Sequence, residues 1–355
     1  MSASAGAPER RGGLRASARP LCDSYDCAVL DLDGVVYLGP SAIPGVPDVL
    51  QQAQAAGMTR AFVTNNAART PEAVAEQLRS LGVHVEAGDV VTSAQAAARE
   101  LLSMLGVGAA VLVVGGVGLN DALRAVGLKP VSSVHADPVA VVQGFSPDVG
   151  WRQLAEASYL IAAGLPWVAT NMDLTVPTAD GIAPGNGALV AAVATAGGRD
   201  PDVVAGKPYR PLLDETVRRT GARRPLFVGD RLDTDIEGAV TYGADSLLVL
   251  TGVTDLHGLC AAPPQRRPTY VARTLAGLLT PHDVASQDGR CFGLEQWSVE
   301  VTDAAVVLDR TGADADDGLR AVVAAAWHWY DRQPADAAPA ARLDVSAAAA
   351  ALNLR

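Results

Sequence analysis

The feature that most constrains this chain is a theme repeated through its middle: a short apolar run, a Gly- or Asn-containing turn, then a helical pattern. The runs are Ala28–Leu32, Arg60–Thr64, Val111–Val114, Val139–Gln143, Trp167–Thr170, Leu226–Val228 and Ser246–Leu250. Helical periodicity occupies the intervals, including Pro71–Ser80, Ser93–Leu105, Gly187–Thr195, Pro208–Thr220 and Asp233–Thr241. Strands alternating with helices predict an α/β fold of parallel sheets with crossover connections. Because the runs are almost continuously apolar, both faces of those sheets should be covered.

At 355 residues the chain is long for one domain, and its 49% hydrophobic and 19% charged residues suit a globular protein with a sizeable core. A net charge of -11 argues against nucleic acid or an anionic membrane as partner, since either would want a basic face. An anionic substrate would then need a metal, a few basic side chains or backbone N–H groups to draw it in. Cys22, Cys27, Cys260 and Cys291 form no CxxC pair and have no histidines at zinc spacing, so four free thiols in a reducing compartment are expected. Arg10, Arg11, Arg15 and Arg19 stand among Ala, Gly and Ser with no apolar signal-peptide segment after them, and residues 1–19 read as a disordered tail. No window reaches the length of a membrane span, and a cytoplasmic location is the expectation.

In sheets of this kind ligands gather at the carboxyl ends of strands. The polar residues that follow the apolar runs are Asp31 and Asp33, Thr64 to Asn66, Asn171 and Asp173, and Asp230. Alternation puts Asp31 and Asp33 on one side, and Gly34 after them would let backbone N–H groups approach an anion. One carboxylate of such a pair can attack phosphorus while its neighbour exchanges a proton with the leaving and entering oxygens. A solvated Asp-Gly turn is the plainer alternative. Attack would also face repulsion, roughly 4 kcal/mol per pair of unit charges at 4 Å and an effective dielectric near 20. A hard, oxygen-ligated Mg²⁺ would offset it.

Asp230, in Val228-Gly229-Asp230, is the natural distant carboxylate for that ion. Asp233 reads better as an acid complementing a helix N-terminus, whereas Asp235 could serve a metal directly, through water or through a lysine. Thr64 and Asn65 end a strand, where hydroxyl and N–H groups could bind phosphoryl oxygens. A capping role for Thr64 is less needed, because Thr70-Pro71 already makes a good helix start. Lys207, in Gly206-Lys207-Pro208, sits at the mouth of the next helix and would by itself pass for a surface charge.

Together these segments resemble, in order, the four signature motifs of the haloacid dehalogenase-like hydrolase superfamily: DxD at Asp31 and Asp33, a strand-end Thr at Thr64, a Lys at Lys207, and GDxxxxD at Asp230 and Asp235. The long stretch between Thr64 and Lys207 leaves room for an inserted cap. With Ala169-Thr170-Asn171-Met172-Asp173 and Pro177-Thr178-Ala179-Asp180-Gly181, it resembles the subgroup carrying an α/β cap between the second and third motifs. That subgroup includes 4-nitrophenyl, phosphoglycolate, glycerol 3-phosphate and nucleotide phosphatases.

The resemblance covers residues 24–285. It implies a Rossmann-like core with Asp31 as nucleophile and Asp33 as general acid/base. It also implies Thr64 and Lys207 on the phosphate, and Mg²⁺ held by Asp31, the Asp33 carbonyl and Asp230. The implied substrate is a small phosphorylated metabolite, glycerol 3-phosphate first, with phosphoglycolate and 4-nitrophenyl phosphate behind it. The dehalogenase branch lacks the acid at the position of Asp33, which favours a phosphoryl substrate.

The expected layout is a core of residues 20–92 and 199–288, a cap of 93–198, and a small α+β unit of 289–355. For that last unit the sequence suggests one or two strands around Val299, Val301, Ala305 and Val307, and a helix over Leu319–Tyr330. An Ala/Pro/Asp stretch at Pro334–Ala341 and an Ala-rich helix then follow. Asn171 and Asp173 could recognise a substrate hydroxyl, dock the cap, or simply shape a turn. Gly115-Gly116-Val117-Gly118 lacks the third glycine of a dinucleotide fingerprint and reads as a cap turn. Trp327, Trp329 and Tyr330 should pack the C-terminal unit. A homo-oligomer would use the cap or that unit. Two rivals stay open: a non-catalytic regulatory protein on a hydrolase scaffold, and a phosphomutase.

Overall fold

A computed structural model describes residues 13–178, 180–333 and 343–354. The chain packs as two compact units. One comprises Cys27–Leu32 and Thr59–Pro225; the other takes the chain up to Asp26, Asp33–Met58 and everything from Leu226 on.

The unit containing Thr59–Pro225 holds two parallel sheets. In the first, Cys27–Leu30 pairs with Thr59–Thr64, which pairs with Val90–Thr92. The second runs Val203–Val204, Trp167–Ala169, Ala140–Gln143, Ala110–Val114, Lys129–Val131, again all parallel. Most of these strands are buried along their length, as β-branched runs between two helical layers should be. Around Trp167 a core forms from Val114, Val141, Ile161, Val190 and Val193. Thr70 caps the helix Pro71–Ser80 by accepting the Ala73 N–H at 3.3 Å, with Pro71 at its first position as expected. The helix Ser93–Leu105 starts with a reciprocal box between Thr92 and Gln95. An antiparallel hairpin, Thr175–Thr178 with Gly181–Pro184, completes this unit. Ala179, within the quoted Pro177 to Gly181 segment, lies outside the described residues.

The other unit carries a parallel set, Pro225–Gly229, Asp245–Val249 and Tyr270–Ala272. After it comes an antiparallel sheet, Ser286–Asp288, Cys291–Leu294, Trp297–Val301 and Val306–Arg310. Four strands stand where one or two were expected. The first two are short and carry Gln287, Asp288 and Gly293, so the alternation that marks a strand is broken there. The covering helix spans Ala315–Tyr330, earlier than the Leu319 start, because Asp314 caps it on the Asp316 N–H. Trp327 and Trp329 are buried in it. A single apolar cluster joins Leu248, Leu256 and Val271 of the parallel part to Trp297, Val299 and Trp327.

Two further expectations need correction. Of the supposed tail, residues 1–12 lie outside the described residues, but the chain is held from there on. Arg15 pairs with Asp245 at 2.8 Å, and the backbones of Ser17 and His282 exchange hydrogen bonds at 2.6 and 2.9 Å. Backbone pairing of this kind leaves no trace in composition. The helix expected from Pro208 begins at Arg210, with Pro211 in its first turn. The stretch Pro334–Ala341 lies outside the described residues. All four cysteines are free. Among the described residues no helix is long and apolar enough to cross a membrane.

Candidate active site

Each unit carries part of the motif set, and the chain passes from one to the other at Leu32–Asp33, inside Asp-Leu-Asp-Gly. The strand ends at Leu30, yet its alternation persists: Leu32 is buried while Asp31 and Asp33 are not.

On the first side, Asp31 meets Lys207. The ammonium lies 2.7 Å from the Asp31 carboxylate, with side-chain exposures of 5% and 14%. Placing the lysine there is the work of the loop after Val203–Val204. Gly206 passes so close to its neighbours that a Cβ would lie 2.5 Å from the Asn65 Oδ1 and 2.6 Å from the Thr170 carbonyl oxygen. Thr64 ends its strand with its hydroxyl accepting the Asn66 N–H at 3.1 Å.

Asn65, expected to bind phosphate, uses its side chain differently. Its Oδ1 accepts the Lys207 N–H at 2.8 Å, and its Nδ2 donates to the Lys207 carbonyl at 3.0 Å and toward the Asp173 carboxylate at 3.3 and 3.4 Å. Asn171 is buried, donates to the Asn65 carbonyl at 2.7 Å and accepts the Asp173 N–H at 3.1 Å. The side chains of Asn171 and Asp173 thus touch the loop that follows Thr64.

On the second side, Asp230 follows the strand Pro225–Gly229 and is 1% exposed. Its Oδ2 accepts the Val253 N–H at 2.6 Å. Gly34, with φ near +80°, packs against it: a Cβ there would lie 2.5 Å from the carboxylate. One on Gly252 would lie 2.0 Å away. The Thr251 hydroxyl donates to the Gly34 carbonyl at 2.5 Å, tying the two glycine segments together. Asp33 is exposed to solvent and accepts from the Tyr37 hydroxyl at 3.3 Å. Asp235 is buried, accepts the Arg231 N–H at 3.1 Å, and presses on Gly229 so closely that a Cβ there would overlap it. Asp233 is bound to Arg231 at 2.9 and 3.1 Å. Burial pushes its carboxyl up, but the hydrogen bonds and charge of Arg231 outweigh this and hold it below the usual carboxylate range. That leaves Asp233 outside the constellation, with an arginine rather than a helix terminus as its main partner.

The side chains of Asp230 and Asp235 are carboxylates, hard oxygen donors of the kind that suit a small hard cation. Glycine at 34 and 252 leaves room at the Asp230 carboxylate that any side chain would fill. Thr251, Gly252 and Val253 were missed in the sequence, although they follow the apolar run ending at Leu250 and obey the rule that found the others.

Known proteins resemble this chain over most of its length. A family model described as haloacid dehalogenase-like hydrolase matches residues 28–129, and a second HAD-hydrolase-like model matches 204–278. A D-glycerol 3-phosphate phosphatase of Mycobacterium tuberculosis is 44% identical over 87% of this chain and 88% of its own. The crystal structure of a glycerol phosphate phosphatase from that organism, in complex with magnesium, aligns with a TM-score of 0.81 at 42% identity. That alignment covers 94% of this chain and 98% of the other. An acid sugar phosphatase of Staphylococcus aureus is 35% identical over 66% of this chain and 89% of its own. Matched by these models and by a relative 44% identical over most of both chains, the chain belongs to the haloacid dehalogenase-like hydrolase family.

Proposed function

We propose that this enzyme is a Mg²⁺-dependent phosphatase that hydrolyses a small phosphate monoester, glycerol 3-phosphate first, through an aspartyl-phosphate on Asp31. The observation that carries the reading is the sequestered Lys207–Asp31 pair at 2.7 Å, which puts an ammonium where an attacking carboxylate and an arriving phosphate need one. Asp31, the carbonyl of Asp33 and Asp230 would hold the ion, with Asp235 beside them as a further carboxylate. When bound, Mg²⁺ offsets the repulsion between carboxylate and phosphoryl oxygens.

A carboxylate oxygen of Asp31 forms a bond to phosphorus as the bond to the ester oxygen breaks. Asp33 gives its proton to the leaving alkoxide. Asp33 then takes a proton from water as that water attacks phosphorus, and the bond to Asp31 breaks to release phosphate. Exposure of Asp33 suits a group that must reach both leaving group and water, and the Tyr37 hydroxyl orients it. Lys207, Thr64 and backbone groups near Gly34 and Asn65 hold the phosphoryl oxygens. Residues 93–198 act as a cap over the core of 20–92 and 199–288, excluding water while the acyl phosphate forms and limiting substrates to small esters.

The 44% identical relative puts glycerol 3-phosphate first among substrates, and the staphylococcal acid sugar phosphatase puts sugar phosphates next. Phosphate release from glycerol 3-phosphate, phosphoglycolate, sugar phosphates and 4-nitrophenyl phosphate ranks them. EDTA should abolish release and Mg²⁺ restore it. Asp31→Asn should lower kcat by roughly 10³-fold or more with the melting temperature retained. Turnover that survives in Asp31→Asn would end the covalent proposal.

A further inference from the structure

We propose that Asn65 is a positioning residue for Lys207, set in turn by Asn171 and Asp173, so that the loop after Trp167–Ala169 fixes the lysine that meets Asp31. The proposal rests on the phosphatase reading only in taking Lys207 as the residue that grips the phosphoryl group.

A lysine ammonium on a four-carbon stem is a mobile point charge, and its aim depends on how firmly its backbone is fixed. Both backbone polar groups of Lys207 go to one side chain. The Asn65 amide accepts its N–H at 2.8 Å and donates to its carbonyl at 3.0 Å. This two-point bracket resembles a strand pairing made by a side chain, and it leaves Lys207 little freedom to turn. Gly206 makes room for the bracket, since a Cβ there would strike the Asn65 Oδ1.

Asn65 is itself held from three directions. The Ser93 hydroxyl and the Asn171 Nδ2 both donate to its carbonyl, at 2.6 and 2.7 Å. The Asp173 carboxylate takes its Nδ2, which decides the orientation of the amide: the nitrogen faces the acid, so the oxygen faces the Lys207 N–H. Asn171 accepts the Asp173 N–H and so keeps the two contacts in register. A continuous set of hydrogen bonds therefore runs from Asn171 and Asp173 through Asn65 to Lys207 and Asp31. The Asn65 side chain touches no reacting atom in this scheme. It acts through the lysine.

The test compares wild type, Asn65→Ala, Lys207→Ala and the double variant, using kcat/KM for 4-nitrophenyl phosphate and thermal melts. Alongside, mass spectrometry measures how far a water-soluble acylating reagent modifies Lys207. Asn65→Ala should lower kcat/KM on the order of 100-fold, mostly in kcat. In the Lys207→Ala background it should add no more than about 3-fold, because the group it acts through is gone. Lys207 acylation should rise several-fold in Asn65→Ala. Asn65→Asp should also be poor, since it sets a carboxylate against Asp173, and adding Asp173→Asn should recover part of the loss. Equal losses with and without Lys207, or unchanged acylation, overturn the proposal. Should wild type release phosphate from no ester, the phosphatase reading fails, and acylation still decides whether Asn65 holds Lys207.

Discussion

Asp230 is buried between two glycines, and this crowding makes the site intolerant of a single methyl group. A Cβ on Gly252 would lie 2.0 Å from the Asp230 Oδ2 and 2.8 Å from the Gly34 Cα, so neither a flexible side chain nor open space can absorb it. Gly252→Ala should therefore displace the carboxylate and lower both Mg²⁺ affinity and kcat/KM, the latter by about 100-fold. Titration of activity against Mg²⁺ checks this; a variant with wild-type metal dependence would show that Asp230 does not hold the ion. Gly34 was legible in the sequence because it stands inside the Asp-Leu-Asp-Gly segment. Gly252 was not, because it is far from every other motif residue and gains meaning only when the segment Thr251 to Val253 folds back on Asp230. Asn65 was found, but the work of its side chain was not. Sequence position identified a polar group at a strand end, and only coordinates reveal that its amide is committed to Lys207 and Asp173.

At the scale of elements, the longer parallel strands, unlike Val90–Thr92, Lys129–Val131, Val203–Val204 and Tyr270–Ala272, were easy to read because they are apolar along most of their length. Short or polar elements were not: the hairpin Thr175–Thr178 with Gly181–Pro184 is largely exposed, and the strand Ser286–Asp288 is wholly so. The run Gly115-Gly116-Val117-Gly118, set aside as a dinucleotide fingerprint, is informative for packing. It begins the helix Val117–Ala125, whose Gly118 N–H donates to the Ala68 carbonyl at 3.3 Å. A Cβ at 118 would lie 2.5 Å from the Arg69 carbonyl and 2.7 Å from that of Ala67. The glycine thus lets this helix rest on the loop that continues from Thr64 and Asn65. Gly118→Ala should cost about 1–3 kcal/mol of stability through overpacking. It should also lower kcat, since the loop it displaces carries Asn65. Denaturant unfolding together with steady-state kinetics measures both, and an unaltered kcat would uncouple this helix from the loop.

For the whole molecule, the C-terminal segment is the part that the sequence described least well, because its packing partners come from distant stretches of chain. His282 shows how they meet. It is fully buried, its backbone pairs with Ser17, and its ring lies edge-on to Tyr270 at 5.1 Å. Its Nε2 lies 2.8 Å from the Gly277 carbonyl, while Nδ1 faces the Arg320 guanidinium at 3.4 Å. That arrangement requires a neutral ring with the proton on Nε2. Burial, reinforced by Arg320, pushes its pKa down to about 4 against the opposing effects of the Gly277 carbonyl and Asp283. In the unfolded chain it would titrate near 6.5. Between those values the unfolded state binds a proton that the folded state refuses, so His282 contributes its full stability above pH 6.5 and loses it as pH falls toward 4. The loss amounts to about 3 kcal/mol across the window. Denaturant unfolding of wild type and His282→Gln at steps from pH 7.5 to 4.5 should show wild type more stable at the top, with the gap closing as pH falls. A constant gap would mean that the ring tolerates its second proton, and that the join between residue 17, residue 282 and the helix Ala315–Tyr330 does not depend on a neutral imidazole.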